Sequence, residues 1–223
     1  MSLSSDQRTR LTDLHSNLLN DVTDDLGIYD NVIPCKRIEA LWSRETVVGT
    51  AHTIQTVEIG YRKDRPESAE DIVLLDALDA VDEGDFVVRA APDDVAAGMW
   101  GELLSTAVSV SGAVGALVDG PTRDSSLIEQ QQFPVWADGR SALESLGRVD
   151  DRSYDVPVEI EGVTIRPGDI IFADSDSIVV LPSDELDQII EEAERTRSIE
   201  DEVRSELREG RPLTDIWDEY ETL

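Results

Sequence analysis

Three consecutive runs decide the fold: Gly98-Met-Trp-Gly-Glu-Leu-Leu-Ser-Thr-Ala107, then Gly112-Ala-Val-Gly-Ala-Leu-Val-Asp-Gly-Pro-Thr-Arg-Asp-Ser-Ser126, then Phe133-Pro-Val-Trp-Ala-Asp138. They read as helix, buried strand, tight turn, helix and next strand. Val114–Val118 is a short apolar run bounded by glycines, the signature of a strand covered on both faces. Asp119-Gly120-Pro121 forces a turn, and Ser126-x-x-Glu129 has the spacing of a capping box opening the next helix. Polar residues gather at the joints, where an open α/β sheet presents its ligand site. Glu102 stands at the mouth of the first helix and Arg123-Asp124 at the mouth of the second.

Outward from this block the pattern continues to alternate. Leu11, Leu14, Leu18, Leu19 and Val22 recur at helical spacing, predicting a helix over 6–26, with a second short helix beginning near Asp21 and stopping at Gly27. Residues 31–42 are strand-like, and the β-branched run 47–57 predicts a core strand. Residues 60–70 read as a surface loop and 71–81 as a short amphipathic helix leading to a strand over 86–90. After Ala137 come about fifteen polar residues read as loop. A hairpin follows, 157–160 against 163–165 across Glu161-Gly162, then strands over 170–173 and 177–181. One long charged helix runs from Ser183 to Glu209, its apolar stripe thinning beyond Thr196. That stripe is either half-exposed and laced by pairs such as Glu200–Arg204 or rests on a neighbouring subunit. The whole predicts one α/β domain over residues 1–223, with a parallel central sheet plus an antiparallel layer. Residues 183–223 are expected to form a helix and tail at a subunit interface.

Composition narrows the function. The 49 acidic residues outnumber the 19 basic ones by 30, which argues against nucleic-acid binding through phosphate neutralisation. Acids are scattered over every segment, and the only lysines are Lys36 and Lys63. This fits a solvated acidic shell of the kind that high salt screens, the other reading being an acidic protein built to bind a basic partner. Cys35 is the single cysteine, so no intrachain disulfide or thiolate metal site is expected. No apolar segment approaches membrane length, and the N-terminal residues show no apolar signal core. A soluble cytoplasmic protein is expected. His15 and His52 lie on separate elements without ligand spacing and read as structural, and Asp174-Ser175-Asp176 reads as a turn.

Glu102 follows Gly98 and Gly101, residues that let a ligand approach the backbone. The free amides of a helix starting there would receive an anion. With Arg123 and two carboxylates, the set suits a hard divalent ion plus an α-keto acid.

Gly-Glu-Leu-Leu-Ser-Thr-Ala, the twenty residues between Glu102 and Arg123, Val-Asp-Gly-Pro-Thr-Arg-Asp and Phe-Pro-Val-Trp-Ala together resemble the family of regulator of ribonuclease activity A. That family includes the class II 4-hydroxy-4-methyl-2-oxoglutarate/4-carboxy-4-hydroxy-2-oxoadipate aldolases. The similarity extends to Val48-Gly-Thr-Ala-His-Thr53, to Pro157-Val158 and to Arg166-Pro-Gly-Asp169, spanning about residues 11–210. It implies a three-layer α/β fold like the swivelling phosphohistidine domain, in homotrimers or hexamers with sites between subunits. It further implies that Asp124 binds a divalent metal, magnesium or manganese, and that Arg123 holds the pyruvyl oxygens. The amides of Leu103 and Leu104, after Gly101, would bind the pyruvate carboxylate. Glu102 stands where the aldolases carry Asp to order a metal-bound water. A C-terminal glutamate of the adjacent subunit would complete the site, Glu200 matching best and Glu202 less well. The implied activity is a metal-dependent, pyruvate-forming lyase, an aldolase or oxaloacetate decarboxylase. The alternatives are a non-catalytic, protein-binding regulator, as the family's namesake is, and related lyase or isomerase chemistry on another keto acid.

The acidic shell makes its own prediction. The thermal midpoint should rise steadily between about 0.1 and about 2 M potassium chloride as screening removes self-repulsion. A flat or falling midpoint would favour the basic-partner reading.

Overall fold

The computed structural model describes residues 3–43, 45–59, 72–92 and 95–220. Its centre is the 12-residue strand β3 (Val47–Glu58), followed along the sheet by β4 (Asp85–Ala90), β5 (Gly115–Val118) and β6 (Val135–Ala137), all parallel. On its other side the first half of β3 pairs antiparallel with β10 (Ile170–Ala173), which leads on to β11 (Ser177–Leu181) and β1 (Val32–Pro34). The second half of β3 pairs antiparallel with β7 (Val149–Tyr154). The far edge, beyond β6, is β2 (Glu39–Ala40). The expected α/β class, with a parallel centre and antiparallel flanks, is therefore present as one mixed sheet.

That sheet is curled. β1 and β2 lie at opposite edges in strand order, yet only residues 35–38 separate them, and so short a link can join two edges only if the sheet wraps round. The strand-like segment 31–42 is thus two short strands that close the ends of the sheet. Its concave face holds Phe86, Val88, Leu117, Trp136, Ile171 and Val180. The hairpin of β8 (Val158–Ile160) and β9 (Val163–Ile165) covers that face through Val158, Ile160, Val163 and Ile165. On the outer face, α3 (Val73–Asp79), α4 (Glu102–Ser111) and α5 (Ser125–Gln131) pack over Val87, Ala116, Val118 and Val135. At the antiparallel end, α1 (Ser5–Thr12), α2 (Ser16–Asp25) and α6 (Leu186–Arg208) cover Val48, Phe172 and Val179. The alternation of Val87 with Phe86 and Val88 between two cores is the period-two pattern of a strand buried on both faces.

Several expectations are corrected. The first helix is two helices, because Leu14 N–H closes α1 on the Leu11 carbonyl (2.9 Å). The buried Asp174 carboxylate then accepts the backbone N–H and hydroxyl of Ser16, both at 2.9 Å, capping the start of α2 from 158 residues away. Residues 21–25 are the end of α2, not a further helix. The polar stretch after Ala137 contains β7, whose period is hidden because Asp151 points into the core. There Asp151 accepts from Nε and Nη2 along one edge of the Arg89 guanidinium (2.9 and 2.8 Å) and from the Thr56 hydroxyl (2.6 Å). The long C-terminal helix begins at Leu186 and is followed by an unforeseen α7 (Leu213–Tyr220). α7 folds back on α6 and buries Ile216, while Val203 of α6 is buried too, so part of the thin stripe is covered within the chain. The Glu200–Arg204 pair is present at 3.5 Å. The loop expected over 60–70 and the first residue of the helix expected from Asp71 lie outside the described residues.

Asp151 is the test of the buried pair. Asp151→Ala leaves Arg89, 1% exposed, charged and unpaired, and should cost about 3–5 kcal/mol in chemical denaturation. The Arg89→Met/Asp151→Leu double variant should lose much less, because it buries no lone charge.

Candidate functional site

The chain runs on past the C-terminal ends of β4, β5 and β6, and the three extensions stay in register. Trp100 bridges Thr122 and Thr122 bridges Arg140, both parallel. Met99 N–H meets the Pro121 carbonyl (2.7 Å), Arg123 N–H the Trp100 carbonyl (2.7 Å), and Ser141 N–H the Thr122 carbonyl (2.8 Å). Below them Arg89 donates to the Met99 carbonyl while held by Asp151. A buried ion pair therefore fixes the first extension, and this extension fixes the second.

These extensions deliver Gly101, Arg123 and Asp124 to one place. A Cβ on Gly101 would stand 3.0 Å from Asp124 Oδ2, and one on Gly98 would overlap Arg123 Cγ and come within 2.7 Å of the Ser141 carbonyl. The room beside both glycines, expected to admit a ligand to the backbone, is taken here by the Arg123 and Asp124 side chains. Gly101 is the N-cap of α4, in extended conformation and with no side-chain cap. The first helical bond is Ser105 N–H to the Gly101 carbonyl (3.1 Å), so the amides of Glu102, Leu103 and Leu104 precede it and point out of the helix start.

Asp124 is where the expected capping box is corrected. α5 begins at Ser125, with Asp124 as its N-cap in the left-handed region (φ 55°) and making no side-chain cap bond. Its carboxylate is exposed beside Gly101, not spent on the helix. Asp30, Gln132, Asp155 and Glu161 share this left-handed backbone, which aspartate adopts more readily than most residues. Arg123 is half-buried and forms no ion pair among the described residues.

Glu102 is placed differently. Its Oε1 accepts from Gln131 Nε2 (2.6 Å) and Thr106 Oγ1 (3.0 Å), a small network that ties α4 to the last turn of α5. Gln131 donates to Thr106 Oγ1 as well (2.8 Å). Glu200 is not brought to this site within the chain, since α6 packs on α1, α2 and α7. Sequence reasoning missed Gln131, which follows nothing but a helical pattern, and Arg140, whose place beside Thr122 exists only through the bridge between extensions.

Other candidates settle into structural roles. Asp174, besides capping α2, accepts the N–H groups of Asp176 and Ser177 (2.9 and 3.1 Å), making the expected turn. His52 stacks on Tyr154 with ring centroids 6.1 Å apart. The half-buried Cys35 thiol is pushed up to about 11 by burial and by nearby Asp174 and Glu39, so it stays protonated at neutral pH and offers no nucleophile. A second network joins Arg37 to Asp119 (2.6 Å), Asp138 (3.0 Å) and Glu161, tying the ends of β5 and β6 to the hairpin turn.

The donors at hand fit a hard cation. Asp124 offers oxygen only, and among the described residues no three His, Cys, Asp or Glu side chains converge into a cage.

The family model described as RraA-like, Aldolase/RraA, matches residues 17–180. The chain belongs to the RraA-like family. A relative from Halalkalibacterium halodurans named "Putative 4-hydroxy-4-methyl-2-oxoglutarate aldolase" is 28% identical over 167 residues, covering 75% of this chain and 74% of that one. Protein DlpA of Legionella pneumophila is 26% identical over 95% of this chain, which spans only a third (33%) of its length. Among solved structures, Streptomyces coelicolor RraAS2, described as an unusual member of the RNase ES inhibitor RraA protein family, superposes with a TM-score of 0.79. It is 27% identical, over 92% of this chain and 98% of that one. Among the described residues no helix is long and apolar enough to cross a membrane.

The two glycines supply a structural test of the site. Gly98→Ala should displace Arg123 and cost about 1–3 kcal/mol of stability, since a backbone carbonyl cannot yield as a side chain can. Gly101→Ala should cost less, because only the Asp124 carboxylate must move. Denaturant midpoints of the two variants check the order.

Proposed function

We propose that this RraA-like protein is a divalent-metal-dependent lyase that cleaves the C–C bond next to an α-keto acid to release pyruvate. Cleavage of a 4-hydroxy-4-methyl-2-oxoglutarate-type aldol and decarboxylation of oxaloacetate are two outlets of one chemistry. The observation that carries the reading is the meeting of Arg123, the uncapping Asp124 carboxylate and the open helix start at Gly101. In this reading Asp124 holds the cation, magnesium or manganese, which when bound polarises the keto oxygen as a Lewis acid.

The chain's own groups do the rest. The Leu103 and Leu104 amides seat the substrate carboxylate at the positive end of α4. Arg123 stabilises the negative charge that develops on the keto oxygen as the bond breaks. Glu102, its Oε1 fixed by Gln131 and Thr106, positions through Oε2 the water that shuttles the proton. Glu stands here where the aldolases have Asp, and the Gln131 bond orients this longer side chain. Glu200, which does not reach the site in its own chain, serves a neighbouring subunit's site in a homotrimer or hexamer, and the arm from Ser183 to the C-terminus forms part of that contact.

A second reading, a protein-binding regulator without turnover, has an observation of its own. α4 exposes Leu103 (77%) at the site and Val110 (84%) about two turns further along the same helix, an apolar face fit for a partner.

Assays of oxaloacetate decarboxylation and pyruvate-aldol cleavage with added magnesium or manganese, at low and high salt, separate the two. Turnover is expected, with Arg123→Ala and Asp124→Ala each lowering kcat/KM by about 100-fold or more. Full activity in Asp124→Ala, or none in the wild type with either metal, would leave the regulator reading standing. Mixing Glu200→Ala with Asp124→Ala subunits should restore part of the activity, and no recovery would remove Glu200 from the shared site.

A further inference from the structure

α4 presents an apolar stripe to solvent. Leu103, Ala107 and Val110 are exposed and recur at i, i+4 and i+7, the spacing of one helix face. α5 lies beside it, tied through Gln131 to Glu102 and Thr106, and adds the exposed Leu127.

This face is also uncharged, which is unusual for the chain. Charged residues make up 30% of the sequence, yet none lies between Glu102 and Asp119, the longest run of its kind. Glu102 is the single charged residue of α4, and Glu129 that of α5. By contrast α6 is charged at about half of its positions, as a solvated helix is. An acidic shell keeps a chain soluble. A helix pair that lacks the shell while exposing four apolar side chains is built to be covered.

Charge selects the occupant. A basic partner is drawn to the acidic faces and gains nothing from this one. A second copy, itself of net charge −30, is repelled least where the facing surface carries no acid. Acids still border the face: the exposed Glu83 lies against Gly112, the C-cap of α4, and Glu129 is exposed on α5. The screening length falls from about 10 Å at 0.1 M salt to about 3 Å at 1 M, and a helix is about 10 Å wide. At low salt the bordering acids of two copies therefore repel across the face, and at high salt they do not.

We propose that the α4–α5 face is where a second copy of this chain docks, and that salt controls the docking. Because Leu103 adjoins Glu102, the docked copy borders the corner where Gly101 meets Asp124.

Molar mass from light scattering tests this on the purified full chain. The readout needs no turnover, so its outcome is separate from that of the keto-acid reading. The wild type should have the mass of one chain at about 0.1 M potassium chloride and a multiple of it at about 2 M, the apparent dissociation constant falling about tenfold or more. Val110→Asp and Ala107→Glu should each stay a single chain at the higher salt with unchanged far-ultraviolet circular dichroism, since both positions are exposed. The Glu83→Gln/Glu129→Gln double variant should assemble at lower salt than the wild type. A wild type that stays a single chain at both salts, as it would if a different protein seats on this face, overturns the proposal. Equal assembly at both salts, full assembly of Val110→Asp, or no shift in the double variant overturns it too.

Discussion

The burial of Arg89 is the constraint on which the rest turns. Its guanidinium is 1% exposed, and a lone charge at that depth would cost several kcal/mol. Asp151 answers it with two hydrogen bonds, and the answer has structural consequences in both directions. On one side it holds β7 against the second half of β3, although the β7 sequence Val-Asp-Asp-Arg-Ser-Tyr has little apolar content of its own. On the other side Arg89 donates to the Met99 carbonyl, which fixes the extension leading into Trp100 and Gly101. Apolar residues of like volume would pack in place of this pair but would donate nothing to the Met99 carbonyl of the loop above them.

From that anchor the site follows by backbone pairing. The extensions beyond β4, β5 and β6 are too short to be strands, yet they bond in register, so the position of Arg123 depends on Trp100 and that of Arg140 on Thr122. Glycine is required at 98, where the Arg123 side chain and the Ser141 carbonyl occupy the space a Cβ would need, whereas at 101 a Cβ would only press on the Asp124 carboxylate. Asp124 adopts the left-handed region, and its carboxylate stays out of the helix cap that its position would otherwise claim. Open amides, a cation and a carboxylate come together where the field of α4 favours an anion.

A curled sheet also explains why the surface networks lie where they do. Residues 35–38 join the two edge strands, and Arg37 within that link gathers carboxylates from the ends of β5 and β6 and from the hairpin turn. One side chain thereby ties together the closing segment, the C-terminal rim of the parallel strands and the hairpin over the concave core. At the opposite end Asp174 does comparable work for α2. Both residues act across more than 80 positions of sequence, and neither has a local signature.

Much of the architecture could be read from sequence because it rests on short-range physics. The apolar run Val114–Val118, the Glu161-Gly162 hairpin turn and the β-branched stretch 47–57 each announce their conformation through periodicity and turn chemistry. Gly98, Gly101, Arg123 and Asp124 stand out by their places at strand and helix joints, and the structure brings them close together. Tertiary structure alone decided what depends on distant partners: the break between α1 and α2, made by Asp174; β7, whose inward acid is legible only opposite Arg89; the unspent carboxylate of Asp124; and the tying of Glu102 to Gln131. The physical reason is the same in each case. Local conformation is selected by a residue's neighbours in the chain, whereas the state of a buried or convergent polar group is selected by whichever group meets it in space, and a single sequence does not say which that is.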